Sequence, residues 1–153
     1  FLLFANALNM FDGINLQSFS YNFSIILFFL SHDIFFNFFF LLILPLLIFG
    51  YLNFKNKSFL GDGGCYLLSF IFGTIFIASY NLNFIKFADT IFLIMILPGI
   101  DMLRLFMIRI YKGNNPFKAD REHIHHKLFE CLGFVKTNII LFLFQITIIF
   151  LIS

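Results

Sequence analysis

Residues 34–54 read IFFNFFFLLILPLLIFGYLNF, a run without a single Asp, Glu, Lys or Arg. At about 1.5 Å per residue, a helix of this length reaches about 30 Å, the thickness of the hydrocarbon core of a bilayer. The run is too long for a strand, and a helix satisfies its own backbone hydrogen bonds in lipid. Pro45 within it predicts a kink. The rest of the chain has the same character, with 61% hydrophobic and 12% charged residues. Soluble domains are roughly half apolar and a quarter charged. A soluble core of this size could not hide the excess, because small domains expose much of their surface.

Working outward, further apolar spans are read at about 16–31, 64–82, 87–109 and from about 138 onward. Gln17, Ser18, Ser20, Asn22 and Ser24 dilute the 16–31 span, and the 87–109 span holds Pro98-Gly99, Asp101 and Arg104. The expected fold class is all-α: a multi-pass transmembrane helix bundle of about five spans plus a short amphipathic cytoplasmic helix. The opening Phe1-Leu2-Leu3-Phe4 lacks an initiator Met and a basic segment, and Asn6, Asn9 and Asp12 interrupt its apolar character. It reads as the tail of a transmembrane helix, not as a signal peptide. Residues 1–153 are therefore expected to be the C-terminal part of one integral-membrane domain whose N-terminal half is missing.

The 28 phenylalanines and the absence of tryptophan are what AT-rich codons would give, and carry no function by themselves. A net charge of +2 is too small to point to nucleic acid. Cys65 and Cys131 are too few for a disulfide scaffold and read as reduced thiols.

Span parity puts 1–15, 55–63 and 110–137 on one face, and 32–33 and 83–86 on the other. Lys55, Lys57, Arg109, Lys112, Lys118, Arg121, Lys127 and Lys136 fall on the first face, with Arg104 one to two turns inside it, against Lys86 alone on the second. The positive-inside rule makes the first face cytoplasmic. The expected location is a cell (inner) membrane with the active face toward the cytoplasm. This parity depends on the diluted 16–31 span crossing the membrane.

Three polar segments share that face. In Asn6-Ala-Leu-Asn9-Met-Phe-Asp12-Gly13-Ile-Asn15, Asn6 and Asn9 lie three apart and share a helix face. Asp12-Gly13 ends the helix, either as an ordinary capped terminus or as part of a ligand-binding polar cluster. In Phe59-Leu-Gly61-Asp62-Gly63-Gly64, glycines surround one carboxylate. That is a common Asp-Gly turn, or a magnesium ligand working with substrate phosphates. In the third segment, Asp120 would cap a surface helix ending at Gly133, with Ile124, Leu128, Cys131 and Leu132 as its apolar stripe. His123, His126, Lys127 and Glu130 make its polar face, with His125 at the flank. The histidines suit phosphate or sugar binding, or a plain solvated face; zinc is a weaker reading because the usual ligand spacing is absent. Asp101, inside a span, can pair with Arg104 three residues on, as a structural ion pair or as part of a site.

Together these segments resemble the polyprenyl-phosphate N-acetylhexosamine-1-phosphate transferases, the membrane superfamily that includes phospho-N-acetylmuramoyl-pentapeptide transferase. Asn6-Ala-Leu-Asn9-Met-Phe-Asp12-Gly13 is similar to the family's Asn-Ala-x-Asn-x-x-Asp-Gly segment. Phe59-Leu-Gly61-Asp62-Gly63-Gly64 resembles its Phe-Met-Gly-Asp-x-Gly-Ser loop. Asp101, Arg109, Gly113, Pro116-Phe117, Asp120-Arg121 and His123-Ile124-His125-His126 follow its fourth block in order. His-Ile-His-His is the form of the GlcNAc-1-phosphate branch.

The resemblance implies transfer of a sugar-1-phosphate from a UDP-N-acetylhexosamine to undecaprenyl phosphate, with release of UMP. It implies Mg2+ as cofactor, with Mn2+ as a substitute. Asp62 would be catalytic and ligand the metal, and His123, His125 and His126 would be catalytic, holding sugar and phosphate with Arg121. Asn6, Asn9, Asp12 and Gly13 would line the nucleotide pocket. Three departures are visible. The family's second Asp-Gly is Asn15-Leu16, its Ser after Gly-Asp-x-Gly is Cys65, and its adjacent Asp-Asp pair lies in none of these segments. The chain alone is thus expected to be inactive. The readings that compete with a transferase are an inactive membrane remnant or assembly subunit, and a small transporter using Asp101 and Arg104.

Overall fold

The computed structural model of the chain describes residues 2–113, 115 and 123–152, and every regular element among them is helical. The helices are α1 (Leu2–Phe11), α2 (Gln17–Ser31), α3 (Phe36–Phe54), α4 (Gly61–Asn81), α5 (Ala88–Ile94), α6 (Ile96–Tyr111) and α7 (Ile124–Ile152). α1 packs on α4 and α6, while α2 packs on α3 and α7. Helices α3, α4 and α7 are long and apolar enough to cross a membrane, and the bent pair α5–α6 passes the same test when the two helices are taken together, as a broken span or a re-entrant loop. The chain is a multi-pass helical membrane protein.

The phenylalanines divide by position. Phe29 of α2 stacks on Phe39 of α3 with ring centres 4.4 Å apart and also meets Phe76 of α4 at 4.9 Å, joining three helices in one core. Phe36, Phe38, Phe40 and Phe54 of α3 point outward and are exposed beside Leu41, Leu44 and Ile48. An apolar outer surface of this kind is expected where the solvent is lipid.

α2 falls short of the expected span. Its 15 residues rise about 22 Å, less than a hydrocarbon core. Three of the polar residues that dilute it find partners within the helix itself. Ser20 and Ser24 hydroxyls and the Asn22 amide donate to carbonyls of their own helix, and Gln17, Ser18, Asn22 and Ser24 are all buried.

Two prolines behave differently. α3 continues as one helix through Pro45, so the expected kink does not break it. Pro98, in the first turn of α6, lacks the N–H that would reach the Ile94 carbonyl four residues back. The chain there bends by 71° between α5 and α6. The Ile94 carbonyl is satisfied from outside its helix: the Tyr21 hydroxyl donates to it at 3.2 Å and Gln145 Nε2 at 2.9 Å. One proline thus ties α2 and α7 to the α5–α6 break.

At one end of the bundle Phe35 meets Phe84 edge-on at 6.3 Å. At the other, the Asn53 side chain near the end of α3 accepts the N–H of Leu16 just before α2. α2 and α3 therefore form an antiparallel hairpin, and the end holding Leu16, Asn53 and the start of α4 is where the polar segments collect. α7 is divided by Gly133, whose backbone is non-helical, into a short opening segment and the long apolar run after it.

Candidate active site

The first two polar segments are joined directly. Asn9 Nδ2, near the end of α1, donates to Asp62 Oδ1 in the first turn of α4 at 2.7 Å. One turn further along, Asp12 Oδ2 accepts the N–H of Gly61 at 3.1 Å. Gly61 has φ +63, so a glycine fits this position where a side chain would be strained. Two carboxylates thus meet the N-terminal end of α4, where backbone N–H groups and the helix dipole favour negative charge. Beneath them the buried Cys65 thiol donates to the Leu8 carbonyl. Asp62 is exposed, and its second oxygen has no partner among the described residues. Asn6 is exposed one turn back along α1.

The histidine segment closes over the same place. A side chain on Gly13 would overlap His125 Nε2, and its Cβ would lie 3.1 Å from His126 Nε2, so only glycine lets the two histidines approach. Phe11 packs edge-on against the His125 ring at 5.8 Å. The His123 and His125 rings stack at 5.1 Å, and those of His125 and His126 lie 4.4 Å apart. His125 is 1% exposed, and neither of its nitrogens finds a hydrogen-bond partner among the described residues. Gly13, Asn15, Phe59, His126, Phe129 and Phe134 line a cleft of about 450 Å³ that draws on all three segments.

Asp101 anchors the histidines. Its Oδ1 accepts from Arg104 Nη2 at 2.9 Å and from the N–H of Ile124 at 3.0 Å, and its Oδ2 lies 3.0 Å from His123 Nδ1. The carboxylate caps the start of α7 from a different helix, supplying the acceptor that the first N–H groups of any helix lack. Asp101, His123 and His125 each offer a ligand atom within 4.8 Å of one another. The Arg104 guanidinium on the same carboxylate disfavours a cation there.

No protein-family model and no solved structure matches the chain. Curated proteins do match. The undecaprenyl-phosphate alpha-N-acetylglucosaminyl 1-phosphate transferase of Haemophilus influenzae is 34% identical over 73 residues, 47% of this chain and 21% of that protein. The protein of the same name from Yersinia pestis is 34% identical over 93 residues, 60% of this chain and 25% of the relative. That from Escherichia coli K12 is 32% identical over 88 residues, 57% and 24% respectively. Over the aligned stretch the chain is similar to the polyprenyl-phosphate GlcNAc-1-phosphate transferases. Its aligned segment spans 21% of the first of these relatives.

The residues singled out in the three polar segments are thus close neighbours here. Asn9, Asp12, Gly13, Asp62, His123, His125 and His126 gather at one end of the bundle, and Asn6 lies a turn away. Arg121, and the expected cap Asp120, lie outside the described residues.

The orientation of the histidine helix departs from expectation. It starts at Ile124 and gives way at Gly133, but His123 and His125 are buried while Cys131 and Leu132 are exposed. The reason is tertiary: Asp101 draws His123 and the helix N-terminus inward. For Asp101 the sequence left a structural ion pair and a part in the site both open. Its signal was a carboxylate inside an apolar span, which Arg104 at i+3 accounts for only in part. At residue 65, where the resemblance expects Ser, the buried Cys65 thiol donates to the Leu8 carbonyl. At the other departure, Leu16 takes a left-handed conformation with φ +66, which the family's glycine would adopt freely.

Proposed function

We propose that this chain contributes the donor-substrate half of a membrane enzyme that moves N-acetylhexosamine-1-phosphate from a UDP-sugar to undecaprenyl phosphate. The observation that carries the reading is the joining of two distant segments, Asn9 to Asp62 and Asp12 to Gly61, beneath a histidine cluster that rests on Gly13. In the proposed reaction a phosphate oxygen of the lipid attacks the β-phosphorus of the UDP-sugar. The bond from that phosphorus to the bridging oxygen breaks, and UMP leaves with the electron pair. Such transfers depend mainly on positioning and charge stabilisation.

Each group has a role that suits its place. The exposed oxygen of Asp62 would hold Mg2+ or Mn2+, with Asp12 close by; ions of this kind take one or two carboxylates plus substrate phosphates. When bound, the ion neutralises diphosphate charge. Asn9 fixes the rotation of the Asp62 carboxylate. The cleft between Phe59, Asn15 and His126 has an apolar, aromatic wall with polar groups at its edge, suited to part of a nucleotide sugar. His126, partly exposed, faces that cleft. A site at the end of apolar helices lies at the depth of a lipid phosphate, so a water-soluble donor and a lipid acceptor can meet there. The proposed setting is the inner membrane, with this face cytoplasmic. A transporter fits less well, because Asp101 is 3% exposed and occupied by donors.

The test is UMP release from UDP-GlcNAc and undecaprenyl phosphate by the gene product in its native membrane. Asp62→Asn should abolish release. Unchanged release would remove Asp62 from the metal site.

A further inference from the structure

The bonding around Asp101 fixes more than a helix end. Arg104 Nη2 and the Ile124 N–H both approach Oδ1, at 2.9 and 3.0 Å, leaving Oδ2 for His123 Nδ1 at 3.0 Å. An ionised carboxylate only accepts hydrogen bonds. The short Oδ2–Nδ1 contact therefore requires the proton of His123 on Nδ1. In the neutral ring, which has one donor and one acceptor, Nε2 then carries the lone pair. Among the described residues Nε2 has no hydrogen-bond partner, and His123 is 7% exposed. The ring is held on both sides, by the carboxylate and by the stacked His125 5.1 Å away. The ring of His126, which lines the cleft, is 6.4 Å off.

Resting on the transferase reading above, we propose that Asp101 is a positioning residue. It locks His123 in the Nδ1–H tautomer and so presents Nε2 as a hydrogen-bond acceptor. An acceptor does not suit a phosphate oxygen. It suits a donor on the sugar, a hydroxyl or the N–H of an acetamido group. His123 then recognises the sugar, and the phosphates fall to other groups. This division of labour differs from treating the three histidines as equivalent.

The experiment is 15N NMR of histidine-labelled protein in nanodiscs of native lipid near neutral pH, with the His123 signals assigned by their loss in His123→Gln. The wild type should show a protonated Nδ1 and an unprotonated Nε2 at His123, and Asp101→Asn should convert or mix the tautomers. A wild-type His123 protonated on Nε2, or on both nitrogens, would overturn the proposal even if Asp101→Asn fails to fold. So would an Asp101→Asn spectrum identical to wild type. In parallel, kcat/KM for UDP-GlcNAc in UMP release should fall at least about 10-fold in Asp101→Asn, by analogy with losses of groups that orient a ligand. Asp101→Glu should recover part of both the rate and the tautomer. If the tautomer behaves as stated but the wild type releases no UMP, the transferase reading fails and the sugar assignment falls with it, while the Asp101–His123 lock stands. If UMP is released but the tautomer is wrong, the positioning role alone fails.

Discussion

Asn9 and Asp62 meet side chain to side chain, Nδ2 to Oδ1 at 2.7 Å, although 53 residues separate them in the chain. The bond brings an amide from the end of α1 to the one carboxylate in the first turn of α4. It uses one oxygen of Asp62 and leaves the other to solvent. Asn9→Ala should therefore leave the helices in place and free the carboxylate to rotate. The expected outcome is a loss of about 10-fold or more in UMP release, partly recovered by raised Mg2+, as for other groups that orient a metal ligand. Asn9→Asp should be worse, since it sets two negative charges in contact. Titrating activity against Mg2+ concentration in both variants checks this.

The approach of Gly13 to the histidines makes a second prediction. Gly13→Ala places a methyl group against His125 Nε2, and overpacking of this kind costs about 1–3 kcal/mol. His125→Ala makes room for it. The double variant should be more stable than the sum of the two single changes implies, by about 1 kcal/mol, because residues in contact are not additive. Reversible unfolding in mixed micelles measures the three variants. Strict additivity would mean that Gly13 and His125 do not touch.

Leu16 offers a test of backbone strain separate from chemistry. Its φ of +66 is left-handed, which costs an L-residue about 1–2 kcal/mol relative to glycine. Leu16→Gly and Leu16→Ala both discard the leucine side chain, but only glycine relieves the strain. Leu16→Gly should be the more stable of the two by about 1 kcal/mol, the reverse of their order within a helix. Unfolding free energies of the pair decide it.

The Ile94 carbonyl carries a fourth prediction. Tyr21 and Gln145 both donate to it where Pro98 cannot. Tyr21→Phe or Gln145→Leu alone leaves one donor, and each should cost about 0.6 kcal/mol, the usual scale of a side-chain hydrogen bond in membrane proteins. The two together leave the carbonyl bare and should cost more than twice that, the penalty of an unsatisfied buried group. An additive double variant would show that the two donors act independently of the break.

How much of this could be read from sequence follows from how local each signal is. The apolar runs around Leu41, Ile71 and Ile146 mark α3, α4 and α7 because lipid-facing helices need no partner to be recognised. The 71° break at Pro98 was not read: the sequence reading placed a kink at Pro45 alone and ran 87–109 as one span, although the donor that Pro98 lacks is a local fact. The gathering of Asn9, Asp12, Gly13, Asp62 and the histidines was legible from span parity and motif order. The parity rested on a crossing at 16–31 that α2 is too short to make; the α2–α3 hairpin nonetheless returns the chain to the same end. The inward turn of His123 and His125 was not legible. Periodicity assigns polar residues to solvent by default, and the carboxylate that reverses this lies 22 residues back in another helix.

Cross-linking in the native membrane tests the shared end of the bundle most directly. In a background with Cys65→Ser and Cys131→Ser, the pair Asn9→Cys and Asp62→Cys should join rapidly under mild oxidation, with each single variant unjoined. Two thiols that react with maleimide but never with each other, or that label from opposite sides of the membrane, would contradict the account.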